Sequence, residues 1–414
     1  MNDSIIVDCS ENALDRLTAY CTSHQLDRFL LVSDENTYAA LGERTEGLLK
    51  DRGWDVRTVV VNGPEVTADE EHICEVLIQA GGEKRTYLAV GSGTLTDITR
   101  FASHASRNGF ISLPTAPSVD GYASSGAALT IKRLKTTVVV HAPSAIFADL
   151  PTLCAAPREM IAAGFGDVLG KYTSLADWRL GALLLDERFD DAIAQRVHGA
   201  LMACVENAQE IGKAGRTGIT HLMAALVESG LCMMDFGNSR PASGTEHVLS
   251  HYWEMTLLQE GRPAVLHGAK VGIATIQAAR RYEAIRGLSK EDVLGRLARA
   301  AAPDRAAEIA RMRAGFGPIA EQIVADHVPF LEMLETNIGT LRKKIGDRWN
   351  DIQAIAATVP PAERVVELLQ QAGGPTDAGA LGIGEDEVQR ALAYAHYMRR
   401  RFTVTTLGHL LELW

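Results

Sequence analysis

Over the first 150 residues, short apolar runs alternate with stretches whose apolar positions recur at helical spacing. Residues 11–26, 36–53, 71–82 and 94–109 carry the helical period, whereas RFLLVSD (28–34), WDVRTVVVNG (54–63), TYLAVGSG (86–93) and FISLPTAPS (110–118) are compact apolar runs that predict strands. Apolar runs that lack polar alternation and are separated by helices indicate a parallel sheet covered on both faces. AALTI (127–131) and TTVVVHAP (136–143), flanking Lys132–Lys135, predict a hairpin, and AIFADL (145–150) closes the series. From Pro151 the pattern changes. Residues 157–184, 191–212, 219–236 and nearly everything later favour helix, and a Gly- and Pro-rich insert at 372–388 reads as a loop. The expected organisation is an α/β domain over 1–150, with a mostly parallel sheet, followed by an all-α domain over 151–414.

Charge and composition narrow the class. A net charge of −11 argues against a nucleic-acid or membrane-surface binder, since both require clustered positive charge. Arg399, Arg400 and Arg401 form a short basic run that the dipole at a helix carboxyl end accounts for. The six cysteines are scattered without a Cys-x-x-Cys pair and fall mainly in apolar segments, as in a reduced cytoplasmic protein. The first residues lack a basic region followed by an apolar core, and no segment is expected to span a membrane.

Candidate chemistry converges on Ser243–Gly268. Ser243 and Glu246 fit a capping box, which predicts a helix carrying His247 and His251 four residues apart on one face. His267 follows a Gly-Arg-Pro break and starts another helix. The zinc-protease signature is excluded, because Val248 stands where a Glu base would follow the first His. Singly, each of these histidines reads as a core or surface residue. With Asp167 they make an Asp/His/His site that suits zinc, iron or nickel. Asp167 alone is also explained by an ion pair on a helix surface with Lys171. The turn Val90–Asp97 follows a strand and opens a helix, so Gly91 and Gly93 let a pyrophosphate approach backbone N–H groups; a plain strand-to-helix turn is the competing reading. Asp34, at a strand end, is a candidate for a ribose hydroxyl or an N-cap. The small, polar loop 114–126 is either a binding surface, with Asp120 and Ser124 as its useful groups, or a solvated connection. Trp178 and Trp253 read as packing residues.

Read in order, GSGTLTD (91–97), LPTAPSVDGYASSGAA (113–128), GFGDVLGKYTSLADWRLG (164–181), SGTEHVLSHYWEM (243–255) and LHGAKVGIAT (266–275) closely resemble the sn-glycerol-1-phosphate dehydrogenases. That family lies within the superfamily of metal-dependent glycerol dehydrogenases, iron-type alcohol dehydrogenases and dehydroquinate synthases, and SHYWEM places the chain nearer its bacterial branch. The resemblance implies a Rossmann-like amino-terminal domain in a dehydroquinate synthase-like fold. It also implies an NAD cofactor, with NADP possible, and one divalent metal ion, zinc, nickel or iron. Gly93, Thr94 and Asp97 are then expected at the cofactor pyrophosphate, and Thr115, Ser118 and Ser124 on its nicotinamide side. Asp167, His247 and His267 are expected to ligate the metal. Asp120, Asp167 and His251 face the substrate, dihydroxyacetone phosphate or glycerol 1-phosphate, with Asp120 and His251 as the catalytic groups. Ser92 departs from the family, where many relatives carry a third consecutive glycine, but a serine there needs only ordinary backbone angles. Asp34 is expected to favour NAD by repelling a ribose phosphate. A homodimer is the expected assembly. Two other readings are a polyol dehydrogenase or lyase on the same scaffold and a nucleotide-binding protein without catalysis.

Overall fold

The computed structural model describes residues 5–63, 65–132, 134–300 and 304–414. The chain forms two compact units. The first comprises residues up to Val168 with Met202–Gly237 and Gln371–Gly373, and the second comprises Leu169–Leu201, Asn238–Gln370 and Gly374–Trp414. The last strand ends at Asp149, yet the unit built on the strands continues through Val168 and takes back the helix Arg216–Phe236.

Eight strands belong to the first unit: β1 (Ile6–Ser10), β2 (Arg28–Asp34), β3 (Asp55–Val61), β4 (Thr86–Gly91), β5 (Phe110–Pro114), β6 (Gly126–Ile131), β7 (Leu134–Val139) and β8 (Ala145–Asp149). Six of them form one sheet in the order β1-β8-β5-β4-β2-β3, parallel throughout, and β6 and β7 pair as the antiparallel hairpin the sequence predicts. The interior strands are apolar on both faces because both are covered. Leu30, Val32, Tyr87 and Ala89 pack with Ile73, Val76, Leu95 and Ile98 of the helices Glu70–Ala80 and Gly93–Ala105. Their neighbours Phe29, Leu31, Leu88 and Val90 point the other way, onto Leu17 and Cys21 of the helix Ala13–Ser23.

Several expectations are corrected. β1 is absent from the sequence reading, because IVDCS is a five-residue edge strand with Ile6 and Val7 exposed and so lacks the buried apolar run that marks its neighbours. The stretch 157–184, expected to be helical, forms two helices, Arg158–Leu169 and Lys171–Leu185, with Gly170 between. The end of the predicted 372–388 loop already belongs to the helix Glu385–Tyr394. The helix Arg216–Phe236, which the sequence reading did not single out, is by length and composition apolar enough to cross a membrane; 56% of its apolar window is buried inside the protein, the behaviour of a core helix. Three cysteines, Cys21, Cys204 and Cys232, are buried, whereas Cys74 is exposed; all six are free. The basic run follows the carboxyl end of the 3-10 helix Ala395–Met398, with Arg399 as its C-cap, and Arg401 has a further role, donating to the Ser243 carbonyl and to Ser239 Oγ, both at 2.8 Å.

The loop between β5 and β6 is not a solvated connection. No residue from Thr115 to Ser125 is exposed. Arg100, fully buried on the 93–105 helix, donates to Asp97 at 2.6 Å and to the carbonyls of Gly126, Gly121 and Tyr122 at 2.7, 2.6 and 3.1 Å. Two glycines let neighbouring helices close on the same loop: a Cβ at Gly164 would stand 1.8 Å from the Pro117 carbonyl oxygen, and one at Gly230 2.9 Å from that of Asp120.

In the second unit a buried carboxylate, Asp177, accepts the first N–H groups of two helices, Thr245–Gln259 and Val404–Leu410, each at 2.7 Å, and the Tyr282 hydroxyl at 2.7 Å. Burial, reinforced by the nearby Glu246 charge, pushes the Asp177 carboxyl up to about 6. Elsewhere in this unit His396 packs at a tilt against His409 with ring centroids 4.6 Å apart, and Tyr397 meets His327 edge-on at 5.3 Å. Burial holds His327 and His409 down to about 4 and His396 well below the usual histidine range, so all three are neutral near pH 7.

Two outcomes follow from these contacts. Arg100→Ala leaves Asp97 without its buried cation and three carbonyls without their donor, so urea unfolding should show a loss of about 3–5 kcal/mol; a loss under about 1 kcal/mol would contradict that role. Between their unfolded value near 6.5 and the folded value near 4, His327 and His409 take up protons only when unfolded, so stability should fall as pH drops through that window. Asp177 acts in the opposite sense, being more readily protonated when folded, and offsets one of the three histidines. The urea midpoint should therefore be lower at pH 5 than at pH 7, and less so in a His409→Gln variant.

Candidate active site

The sheet order fixes where a dinucleotide can lie. From β2 the chain passes to β3 on one side and then to β4 on the other, so the β2/β4 boundary is the topological switch point, where ligands bind beyond the carboxyl ends of parallel strands. Asp34 ends β2, Gly91 ends β4, and Thr115 follows the end of β5, bonding the Gly91 carbonyl through its N–H at 3.3 Å. Gly91 has no space for a side chain, since a Cβ would meet Leu95 Cδ1 at 2.4 Å. Ser92 adopts extended angles (φ −82, ψ −164) as the residue before the helix, which is why a serine is accommodated there. Gly93 and Thr94 open the helix and offer unpaired first-turn N–H groups.

Other predicted cofactor groups have intramolecular work. The Asp34 side chain accepts the Thr37 N–H at 2.7 Å in a capping box, the alternative role weighed from sequence. Asp97 is paired with Arg100. Ser124 Oγ donates to the Gly121 and Gly126 carbonyls at 3.2 and 3.3 Å, while Ser118 Oγ lies 3.4 Å from the Tyr122 hydroxyl. Asp120 is set from two sides: its N–H donates to Asp167 Oδ2 at 3.0 Å and its own carboxylate accepts Ser229 Oγ at 2.8 Å. Asp167 is fully buried near the end of the helix Arg158–Leu169. Lys171, also buried, donates to the Ala242 carbonyl at 3.3 Å, so neither residue lies on an exposed helix surface.

The second unit brings the three histidines together. His247 and His251 lie one turn apart on the helix Thr245–Gln259, with ring centroids separated by 6.2 Å. His267, the first residue of the helix His267–Arg286, is 5.4 Å from each of them. Burial lowers the His251 pKa from its usual value, opposed by the neighbouring Glu254.

The helix does not begin with the predicted capping box. Gly244 is the N-cap, and Glu246, fully buried, turns inward to accept the Gly244 N–H at 2.6 Å, the His247 Nδ1–H at 2.8 Å and the Thr173 hydroxyl at 2.5 Å. The contact with Glu246 assigns the His247 proton to Nδ1 and leaves the lone pair on Nε2. His251 Nδ1 lies 3.3 Å from Glu254, whose other oxygen is 3.8 Å from the buried ammonium of Lys270. His251, Glu254 and His267 also offer donor atoms within 4.8 Å of one another, but the Lys270 charge opposes a cation beside Glu254. Imidazoles, with His247 presenting a defined nitrogen, are donor chemistry that fits a borderline-soft divalent ion.

Glu246, Glu254, Lys270, Arg100 and Ser229 are site-supporting residues that sequence reasoning passed over. Glu254 had a signal in its three-residue spacing from His251. Glu246 carried a misleading one, since its offset from Ser243 imitates a cap.

A family model described as iron-containing alcohol dehydrogenase matches residues 8–157. The glycerol-1-phosphate dehydrogenase (NAD(P)+) of Bacillus subtilis (strain 168) is 38% identical over 396 residues, covering 95% of this chain and 88% of that protein. The protein of the same name from Pyrococcus furiosus is 34% identical over 280 residues, 68% of this chain and 78% of that one. The bacterial relative thus aligns over more of the chain than the archaeal one does. Among solved structures, a probable glycerol dehydrogenase from Sinorhizobium meliloti 1021 shares the fold, with a TM-score of 0.61 and 17% identity over 99% of this chain and 96% of that one. With more than a third of its residues matched across nearly its whole length, the chain belongs to the glycerol-1-phosphate dehydrogenase family.

Proposed function

We propose that this protein reversibly transfers hydride between NAD(P)H and dihydroxyacetone phosphate, giving sn-glycerol 1-phosphate. The observation that carries this reading is the near-full-length likeness to enzymes of that name, and the meeting of three histidines in the second unit supports it. We assign Asp167, His247 and His267 as the residues that hold one divalent ion, zinc, nickel or iron. When bound, the ion supplies Lewis acidity toward the ketone oxygen and the dinucleotide supplies the hydride.

The chain's own residues do the rest. Gly91, Gly93 and Thr94 present backbone N–H groups to the pyrophosphate, and Asp97 holds that turn through Arg100. Thr115, Ser118 and Ser124 line the nicotinamide side. Asp120, fixed by Ser229 and by Asp167, orients the substrate hydroxyl. His251, with Nδ1 toward Glu254, moves the proton that neutralises the developing alkoxide at its Nε2. The negative charge of Asp34 at the end of β2 favours NAD over NADP. The enzyme is proposed to act in the cytoplasm as a homodimer.

Purified protein should oxidise NADH with dihydroxyacetone phosphate, lose that activity on chelation, and form the sn-1 enantiomer. Turnover with free glycerol but none with the phosphorylated ketone would replace this reading by a polyol dehydrogenase. His247→Ala and Asp167→Ala should each abolish metal retention and turnover together; full metal occupancy in both variants would remove the ligand assignment. Catalytic efficiency should be higher with NADH than with NADPH, and Asp34→Ala should narrow the difference. A clear NADPH preference in the unaltered protein would count against Asp34.

A further inference from the structure

His247 and His251 occupy one helix and each sets Nδ1 against a carboxylate of that helix, Glu246 at 2.8 Å and Glu254 at 3.3 Å. What stands behind the two carboxylates differs. Glu246 is 0% exposed, and its other hydrogen bonds come from neutral donors, the Gly244 N–H and the Thr173 hydroxyl. Its side chain is therefore fixed on both oxygens, and among the described residues no lysine or arginine is bonded to it; Arg401, which feels its charge, is bonded to the Ser243 carbonyl and Ser239 Oγ instead. Glu254 is partly exposed and faces the Lys270 ammonium at 3.8 Å.

We propose that Glu246 is the positioning residue that makes His247 a metal ligand, while the balance of Glu254 by Lys270 leaves His251 to the substrate. The inference rests on the metal assignment above. An imidazole that gives its N–H to a carboxylate becomes a more basic donor at its other nitrogen, and the carboxylate holds the ring in one orientation. Fixed by three donors in a dry setting, Glu246 can do both. Glutamine in its place keeps the shape and can hydrogen-bond the Thr173 hydroxyl, whose proton has the Gly170 carbonyl, but it removes the charge.

The test is Zn2+ affinity of the apo protein, measured in competition with a chromophoric chelator. Glu246→Gln should bind Zn2+ about 10–100-fold more weakly than the unaltered protein, with Glu254→Gln within about twofold of it. The visible bands of the Co2+-substituted protein should shift in Glu246→Gln and not in Glu254→Gln. Unaltered affinity in a folded Glu246→Gln protein would overturn the proposal, as would an equal loss in Glu254→Gln. Should Glu246→Gln fail to fold, as judged by circular dichroism of the apo protein, Thr173→Val removes one anchor of the carboxylate and keeps its charge. It should weaken Zn2+ binding a few-fold, and unchanged affinity would overturn the proposal in its turn. His247→Ala separates the two layers of the argument: Zn2+ bound as tightly without that imidazole would refute the metal assignment itself, whereas weak binding in His247→Ala with normal binding in Glu246→Gln refutes only the role of Glu246.

Discussion

Two carboxylates buried side by side in the second unit, Asp177 and Glu246, are the constraint on which the histidine cluster depends. Putting one ionised carboxylate out of water is expensive, and putting a second beside it adds repulsion. The fold answers with donors. Asp177 takes two helix-terminal N–H groups and a tyrosine hydroxyl, and Glu246 takes a backbone N–H, a threonine hydroxyl and an imidazole N–H. The residual conflict is visible in Asp177, whose carboxyl is pushed up to about 6. The two carboxylates meet at the start of the helix that carries His247 and His251.

The first unit solves a different problem, that of holding a polar loop still at the carboxyl edge of a parallel sheet. Apolar packing cannot do this for a segment rich in Ser, Thr and Gly. Arg100 does it with a planar fork of donors that reaches three loop carbonyls and Asp97 at once. Gly164 and Gly230 contribute by having no side chain, which lets two helices approach the loop backbone.

Much of this was legible in the chain. β2, β4, β5 and β8 are buried on both faces, so their sequences are continuous apolar runs that can be mistaken for little else. β1 escaped because an edge strand keeps no such record, and the break at Gly170 because both flanking segments remain helical. The histidines were legible through their spacing, one helical turn for His247 and His251 and a helix start for His267. The residues behind them were not. Glu246 and Ser243 have the offset of a capping box, and only the three-dimensional path of the chain shows that the glutamate turns inward. The burial of Arg100 and Arg401 left no mark in the sequence, because nothing local distinguishes an arginine that will be buried among carbonyls far along the chain. Long-range hydrogen bonds have no sequence period.

The two helix starts that share Asp177 are separated by more than 150 residues, and one belongs to the final segment of the chain. The tail from Thr403 onward is therefore a structural part of the histidine-bearing helix, not an appendage. Trimming it back, or prying it loose with a bulky carboxyl-terminal fusion, would strip a buried acid of a donor and disturb the placement of imidazoles far upstream.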